Sequence, residues 1–175
     1  MTEASSSALS REELATRARR LRLVLTDNDG VLTDTGVYYS ERGEELKRYS
    51  VRDGMGVERL RRAGIETAIV TREAAGCIRG RAEKLKVRLY SAMRDKLTLL
   101  PMILTEYSYQ PDQLGFIGDD VNDLELMEAV SLGGLTGAPS DAMPMVKRIA
   151  LHLCASPGGH GAFRDFAEWI LELRS

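Results

Sequence analysis

Three apolar segments that end in polar side chains, with helical segments between them, constrain this chain's fold more than any other feature. They are residues 21–27 ending in Asp27, residues 66–70 before Thr71, and residues 114–117 before Asp119. Strands that alternate with helices predict a parallel sheet covered on both faces. Because right-handed crossovers bring the carboxyl ends of such strands to one edge, we expect the polar side chains to converge there.

The remaining elements follow from hydrophobic periodicity and from the positions of glycine and proline. Predicted helices span 10–20, 54–63, 73–85, 95–107, 122–129, 141–147 and 161–173, and further strands span 87–89, 131–133 and 149–153. The runs 36–39 and 46–49 predict a hairpin joined through residues 41–44. We expect Asp53 to cap the second helix and Pro101 to kink the fourth. The predicted fold is α/β, a Rossmann-like doubly wound parallel sheet with a small β-hairpin flap.

Composition favours an ordinary globular protein. The 175 residues suit one domain over 21–175, preceded by a tail and short helix over 1–20 in which 1–9 are expected to be disordered. A net charge of −2 gives no reason to expect nucleic acid or an acidic membrane surface as a partner. We find no apolar run of roughly 18–20 residues, no signal peptide and no disulfide framework, which predicts a cytoplasmic protein.

The polar residues allow two interpretations when each is taken alone. Asp27 and Asp29 place two carboxylates at the end of a buried strand, which is costly unless a cation or a reaction requires them. The alternative is a simple turn in which Asp29 and Gly30 reverse the chain. Lys96 is likewise either a charge for a site or a solvated helix lysine.

Four short motifs resemble, in their order along the chain, those of the haloacid dehalogenase superfamily. They are Asp27-x-Asp29, Thr71, Lys96 and Asp119-Asp120. The resemblance implies a phosphatase in which Asp27 is the nucleophile and forms an aspartyl-phosphate. Asp29 would be the general acid and then the general base. Thr71 would bind a phosphoryl oxygen, and Lys96 would offset the negative charge. Mg²⁺ would be held by the carboxylates of Asp27 and Asp119 and by the backbone carbonyl of Asp29.

Three further polar residues follow Asp119. Asp120, Asn122 and Asp123 are candidates for supporting the metal ligands through hydrogen bonds. Asn122 and Asp123 could instead cap the helix that follows them.

The spacing of the motifs resembles the branch of the superfamily that has no cap domain. The resemblance covers about residues 21–173 and is closer to the phosphatases of 3-deoxy-D-manno-octulosonate 8-phosphate and of nonulosonate (sialic-acid-type) 9-phosphates. Its most specific part is Gly158-Gly159-His160-Gly161-Ala162-Phe163-Arg164-Asp165. These families imply a homotetramer, in which neighbouring chains would wall an otherwise open site.

The second motif departs from the family pattern. It is Thr71-Arg72-Glu73, where the family has glycine after the threonine, so Arg72 either crowds the phosphate or contacts it. By resemblance, Glu73 with Arg81 eight residues later favours a nine-carbon sugar acid. Alternatively, Glu73 only begins the following helix, where its charge is favourable to the helix dipole. Arg164 is a candidate for binding the sugar-acid carboxylate, or it pairs with an acid on its own helix.

Three functions remain open from the sequence. The first is a Mg²⁺-dependent phosphatase of a keto-deoxy sugar acid phosphate, the octulosonate 8-phosphate or a nonulosonate 9-phosphate. The second is a non-catalytic oligomerisation module, similar to the domain appended to some sialic-acid cytidylyltransferases. The third is a phosphatase of another small phosphate ester.

Overall fold

A computed structural model describes residues 9–74, 76–92 and 94–175, so the predicted disorder of 1–9 falls outside the described residues except for Leu9. The helices of these ranges are α1 Arg11–Arg20, α2 Val51–Arg62, α3 Gly76–Leu85, α4 Leu100–Tyr107, α5 Leu124–Ser131, α6 Pro144–Ile149 and α7 Ala162–Arg174. The strands are β1 Leu23–Thr26, β2 Thr33–Ser40, β3 Gly43–Tyr49, β4 Glu66–Val70, β5 Arg88–Tyr90, β6 Leu114–Ile117, β7 Leu135–Ala138 and β8 His152–Leu153. No helix in this part of the chain combines the length and the apolar character that crossing a membrane requires.

Six strands form a parallel sheet in the order β5-β4-β1-β6-β7-β8. Strand β1 lies between β4 and β6, and Thr26 pairs in register with Ile69 on one side and Ile117 on the other. The residues that follow these three strands therefore meet at one edge of the sheet. The predicted α/β fold with a doubly wound parallel sheet is confirmed.

Apolar side chains cover the sheet on both faces, as the continuous apolar strands predict. Successive residues of β1 point to opposite faces, so Val24 packs in one cluster with α1, α2, α3 and α7. Leu23 and Leu25 pack in the other cluster with α4, α5 and α6. Side chains of β1 are therefore buried on both faces of the sheet, and the residues that follow β1 extend from a packed core.

Strands β2 and β3 form the predicted hairpin as a separate antiparallel pair. The strands are longer than predicted, and the connection contains residues 41–42 rather than 41–44. Within the described ranges this hairpin is the element between β1 and α2.

Several predicted elements are wrong in detail. Helix α6 begins at Pro144 rather than at 141, and β8 contains only His152 and Leu153 of the strand predicted at 149–153. Pro101 lies in the first turn of α4, where it needs no backbone donor, so it does not kink a longer helix. The strand predicted at 131–133 begins later, as β7 at Leu135, because α5 continues to Ser131. Between them, Gly134 packs closely against the Leu114 carbonyl, where a Cβ would overlap that oxygen. Helix α3 begins at Gly76, so Glu73 lies before the helix.

The predicted helix cap Asp53 is also wrong. Ser50 caps α2 through its side chain, whereas Asp53 lies inside the helix, fully buried, and accepts a hydrogen bond of 3.1 Å from the backbone N–H of Arg164. Burial raises the pKa of Asp53 to about 6 although backbone donors from α7 oppose the rise. Asp53 thus connects α2 to the first turn of α7.

Asp53→Asn should change how the stability of the protein depends on pH. Well below pH 3.8 the carboxyl is neutral in both states, but as the pH rises through 3.8 toward 7 the unfolded chain ionises first, which favours unfolding of the wild type. The variant lacks this loss of unfolding free energy, which amounts to about 3 kcal/mol at most in the wild type. Urea unfolding at pH 4 and pH 7 should show the stability difference moving in favour of the variant as pH rises. A difference that is the same at both values would contradict the assignment.

Candidate active site

The predicted site residues converge at the sheet edge. Asp27, Thr71 and Asp119 follow β1, β4 and β6, and Asp29 follows two residues after Asp27. They open onto a cavity of about 380 Å³. Its walls are formed by Asp27, Asp29, Thr35, Thr71, Arg72, Glu73, Arg94, Asp119, Asp120 and Asn122. Polar side chains from both sides of β1 therefore surround one small volume.

Lys96, in the turn before α4, contacts Asp27, which lines this cavity. Its Nζ lies 2.8 Å from Asp27 Oδ2 and donates to Asp123 Oδ1 at 2.6 Å, and its side chain is 1% exposed. Burial alone would lower the pKa of Lys96, but the Asp27 and Asp123 carboxylates outweigh it and raise the pKa. Lys96 is therefore a permanent positive charge, held between two carboxylates.

Lys96 does not offset the repulsion among the acidic side chains of the site. Burial and the neighbouring Asp123 raise the pKa of Asp27 well above its usual range, although Lys96 opposes this. Burial, followed by repulsion from Asp123 and Asp120, raises the pKa of Asp119 to about 7. A bound cation would relieve the repulsion between these carboxylates and favour their ionised forms.

The donor set fits a divalent metal ion. Carboxylate oxygens of Asp27, Asp119 and Asp123 all lie within 4.8 Å of one another. Asp119 Oδ1 is buried and has no hydrogen-bond partner among the described residues. Asp123 is already used: Oδ1 binds Lys96, and Oδ2 accepts the backbone N–H groups of Asp119 at 2.9 Å and Asp120 at 3.4 Å. We therefore expect Asp27 and Asp119 to be ligands and Asp123 to hold the loop, and an all-oxygen set suits Mg²⁺.

Glycines allow the loops around the site to approach closely. Gly30 has a φ of +83°, and a Cβ there would overlap the Asp119 carboxylate. A Cβ at Gly158 would overlap the Gly30 carbonyl, and the Gly159 N–H donates to the Val31 carbonyl at 2.9 Å. The glycine-rich segment before α7 thus packs directly on the loop that carries Asp27 and Asp29.

The structure separates the predicted substrate-binding residues into two pairs. Arg72 and Glu73 line the cavity, as does Thr71, whose hydroxyl accepts the Glu73 N–H at 3.2 Å. Among the described residues, Arg81 and Arg164 are not part of its wall. Arg81 instead donates to the Ser50 carbonyl at 2.8 Å, and Arg164 pairs with Glu168 at 2.7 Å. In the single chain these two arginines have structural partners, and their role in binding the substrate stays a prediction.

Among the residues predicted to support the metal ligands, Asp123 and Asp120 make different contacts. Asp123 is fully buried against Lys96, whereas Asp120 accepts the Val121 N–H at 2.6 Å and caps the turn before α5. Asn122 faces the cavity.

Sequence reasoning missed three residues around the cavity. Arg94 and Thr35 line it, and Lys47 of β3 donates to Asp29 Oδ1 at 2.6 Å. Arg94 lies two residues before Lys96, so its proximity could have been inferred. Lys47 could not, because hairpin register and side-chain reach decide its contact.

Mg²⁺ should stabilise the protein, because it relieves repulsion among the buried carboxylates and binds only the folded chain. At about 100 times its dissociation constant the gain is about 2.7 kcal/mol, or roughly 5–10 °C in Tm for a domain of this size. Differential scanning fluorimetry with and without Mg²⁺ measures the shift. Asp119→Asn should lose most of it, whereas Asp112→Asn, on the surface, should keep it. An equal shift in both variants would place the ion elsewhere.

Known proteins are similar to this chain in both sequence and fold. Residues 78–163 match the family described as haloacid dehalogenase-like hydrolase. The 3-deoxy-D-manno-octulosonate 8-phosphate phosphatase of Yersinia pestis is 37% identical over 161 residues, covering 91% of this chain and 84% of that protein. The cobalt-bound deoxy-D-mannose-octulosonate 8-phosphate phosphatase of Haemophilus influenzae is 31% identical, with a TM-score of 0.85 over 90% of this chain and 91% of that one.

A further structure was determined with ligands. The 3-deoxy-D-manno-octulosonate 8-phosphate phosphatase of Moraxella catarrhalis, in complex with magnesium, phosphate and KDO, is 27% identical. Its TM-score is 0.86, over 93% of this chain and 92% of that one.

Proposed function

Because the chain belongs to the haloacid dehalogenase-like hydrolases and is a phosphoric monoester hydrolase, we propose that its substrate is 3-deoxy-D-manno-octulosonate 8-phosphate. The observation that carries this proposal is the similarity to phosphatases of that substrate along 91% of the chain, at 37% identity. That similarity, with the complete acidic set, argues against the non-catalytic module considered from the sequence.

The arrangement of the side chains supports hydrolysis in two steps. Mg²⁺, held by the carboxylates of Asp27 and Asp119, would neutralise the repulsion between the phosphate and the carboxylates. An Asp27 oxygen attacks phosphorus, the bond from phosphorus to the sugar oxygen breaks, and Asp29 gives that oxygen a proton. Asp29 then takes a proton from water, which attacks the aspartyl-phosphate and releases phosphate. Thr71 donates to a phosphoryl oxygen, and Lys96 holds Asp27 by its charge.

Positive charge around the entrance suits a substrate with a carboxylate as well as a phosphate. Arg72 and Arg94 both line the cavity and can meet an anionic sugar. Glu73 lies beside them and favours a nonulosonate 9-phosphate, which is the second candidate substrate. A phosphatase of another small ester is the third, because Arg72 replaces the family glycine.

We propose that more than one chain is needed to close the site. The hairpin is the element that lies over the cavity side of β1 in the described part of the chain, and a site covered only by it admits water. We propose that a homotetramer completes the walls, that residues 21–175 act as one domain, and that the enzyme works in the cytoplasm. Sedimentation equilibrium tests the tetramer.

Phosphate release in the presence of Mg²⁺ tests the substrate. We would compare 3-deoxy-D-manno-octulosonate 8-phosphate, a nonulosonate 9-phosphate and 4-nitrophenyl phosphate by kcat/KM. A preference for the octulosonate supports the proposal, whereas a preference for the nine-carbon acid transfers it to the candidate favoured by Glu73. Turnover of 4-nitrophenyl phosphate with neither sugar acid would reject both substrates while keeping the phosphatase.

A further inference from the structure

A buried lysine of the hairpin contacts Asp29 from outside the four motifs. The Nζ of Lys47 donates to Asp29 Oδ1 at 2.6 Å and forms an ion pair with Glu44 at 3.2 Å. The Lys47 side chain is 2% exposed. Burying an ammonium group costs hydration free energy and side-chain entropy. An exposed ion pair avoids this cost but contributes little to the stability of a protein.

The two carboxylate oxygens of Asp29 have different surroundings. Oδ1 receives Lys47 and two longer contacts, from Asn28 Nδ2 at 3.3 Å and Thr33 Oγ1 at 3.4 Å. Oδ2 is buried and has no hydrogen-bond partner among the described residues. Because Asp29 lines the cavity, one oxygen is held by the protein and the other is left for a group that enters the cavity.

A second residue of β3 holds the same loop. Tyr49 lies two positions after Lys47, on the same face of the strand, and its hydroxyl donates to Asn28 Oδ1 at 3.1 Å. Asn28 is fully buried and turns its amide toward Asp29. The hairpin therefore determines the orientation of the Asn28–Asp29 segment through two neighbouring side chains. Glu44 balances the lysine charge on its other side.

We propose that Lys47 is a positioning residue, which fixes the Asp29 carboxyl so that its free oxygen faces the oxygen of the leaving group. The inference rests on the proposed role of Asp29 as proton donor. Proton transfer requires donor and acceptor within about 2.6–3.2 Å, so a carboxyl that rotates away loses catalysis even when it stays in the cavity. The hairpin thus contributes a specific contact to the chemistry as well as covering the site.

The leaving group distinguishes positioning from a structural role. A sugar alkoxide is a strong base and must be protonated as it departs, whereas 4-nitrophenolate leaves readily without a proton. Loss of a well-placed general acid should therefore slow sugar phosphates and spare 4-nitrophenyl phosphate. A general weakening of the fold would slow both substrates equally.

Lys47→Met tests the proposal through kcat/KM, which reports the steps up to departure of the leaving group. We expect a loss of roughly 10- to 100-fold for a sugar phosphate and less than about 3-fold for 4-nitrophenyl phosphate. Lys47→Arg retains a donor and should recover part of the loss. Arg42→Met removes an exposed residue of the same hairpin and should leave both rates unchanged. Equal losses on the two substrates, or no loss on either, would overturn the proposal.

Asp29→Asn and a second sugar ester separate this inference from the proposed function. Asp29→Asn should show the same selectivity with a larger loss. If it does and Lys47→Met does not, the role of Lys47 is rejected and that of Asp29 stands. If Asp29→Asn is not selective, the general-acid role fails, and the inference with it. Glucose 6-phosphate, measured beside 3-deoxy-D-manno-octulosonate 8-phosphate, keeps the test valid if the octulosonate is not the substrate.

Discussion

Asp27→Asn should reduce phosphate release by about 10⁴-fold or more, because an amide oxygen is a far weaker nucleophile than a carboxylate. The substitution preserves the shape of the side chain and its hydrogen bond from the Asn28 N–H, which is 2.6 Å long in the wild type. The fold should therefore persist. Turnover is measured with saturating Mg²⁺, and circular dichroism checks the fold.

Asp112→Asn is the matched control for this variant. Asp112 pairs with Arg20 on the surface, so its loss should leave turnover unchanged. Turnover by Asp27→Asn within tenfold of the wild type would exclude Asp27 as the nucleophile, and the reaction would then require direct attack by water.

Lys96→Met should damage both stability and catalysis. Lys96 lies between two buried carboxylates, and removing it leaves Asp27 and Asp123 to repel each other without a cation. Breaking a buried ion pair on one side typically costs about 3–5 kcal/mol. Urea unfolding without metal should show a loss of this order, and turnover should fall by roughly 10²–10³-fold because the charge that stabilises the transition state is missing.

Mg²⁺ should restore part of the stability of Lys96→Met, since it supplies positive charge to the same carboxylates, but it should not restore turnover. Lys84→Met, at an exposed position of α3, is the control and should behave as the wild type. A Lys96→Met protein as stable as the wild type without metal would mean that the two carboxylates are neutral in the native state.

The sequence predicts the frame of this site because its central strands are continuous apolar runs. Strands β1, β4 and β6 occur where predicted, and their parallel order alone brings Asp27, Thr71 and Asp119 to one edge. Lys96 follows from its motif. These residues can be predicted because their positions depend on local sequence: each lies at the end of a strand or at the start of a helical turn.

Contacts between distant elements could not be predicted in the same way. Asp53 has the residue type of a helix cap, and only its packing against α7 makes it a buried acceptor for Arg164. Arg81 is long enough to reach several partners, so spacing cannot select the Ser50 carbonyl among them. Lys47 depends on hairpin register, which a bulge shifts between Thr33 and Val37.

The packing of the glycine-rich segment on the catalytic loop has a consequence for synthesis of the protein. Every proposed catalytic and metal-binding residue precedes residue 124, so a growing chain contains them all well before it is complete. The loop that carries Asp27 is nevertheless supported by Gly158 and Gly159, and α2 by the first turn of α7. On the ribosome, the enzyme should become active only after α7 has emerged.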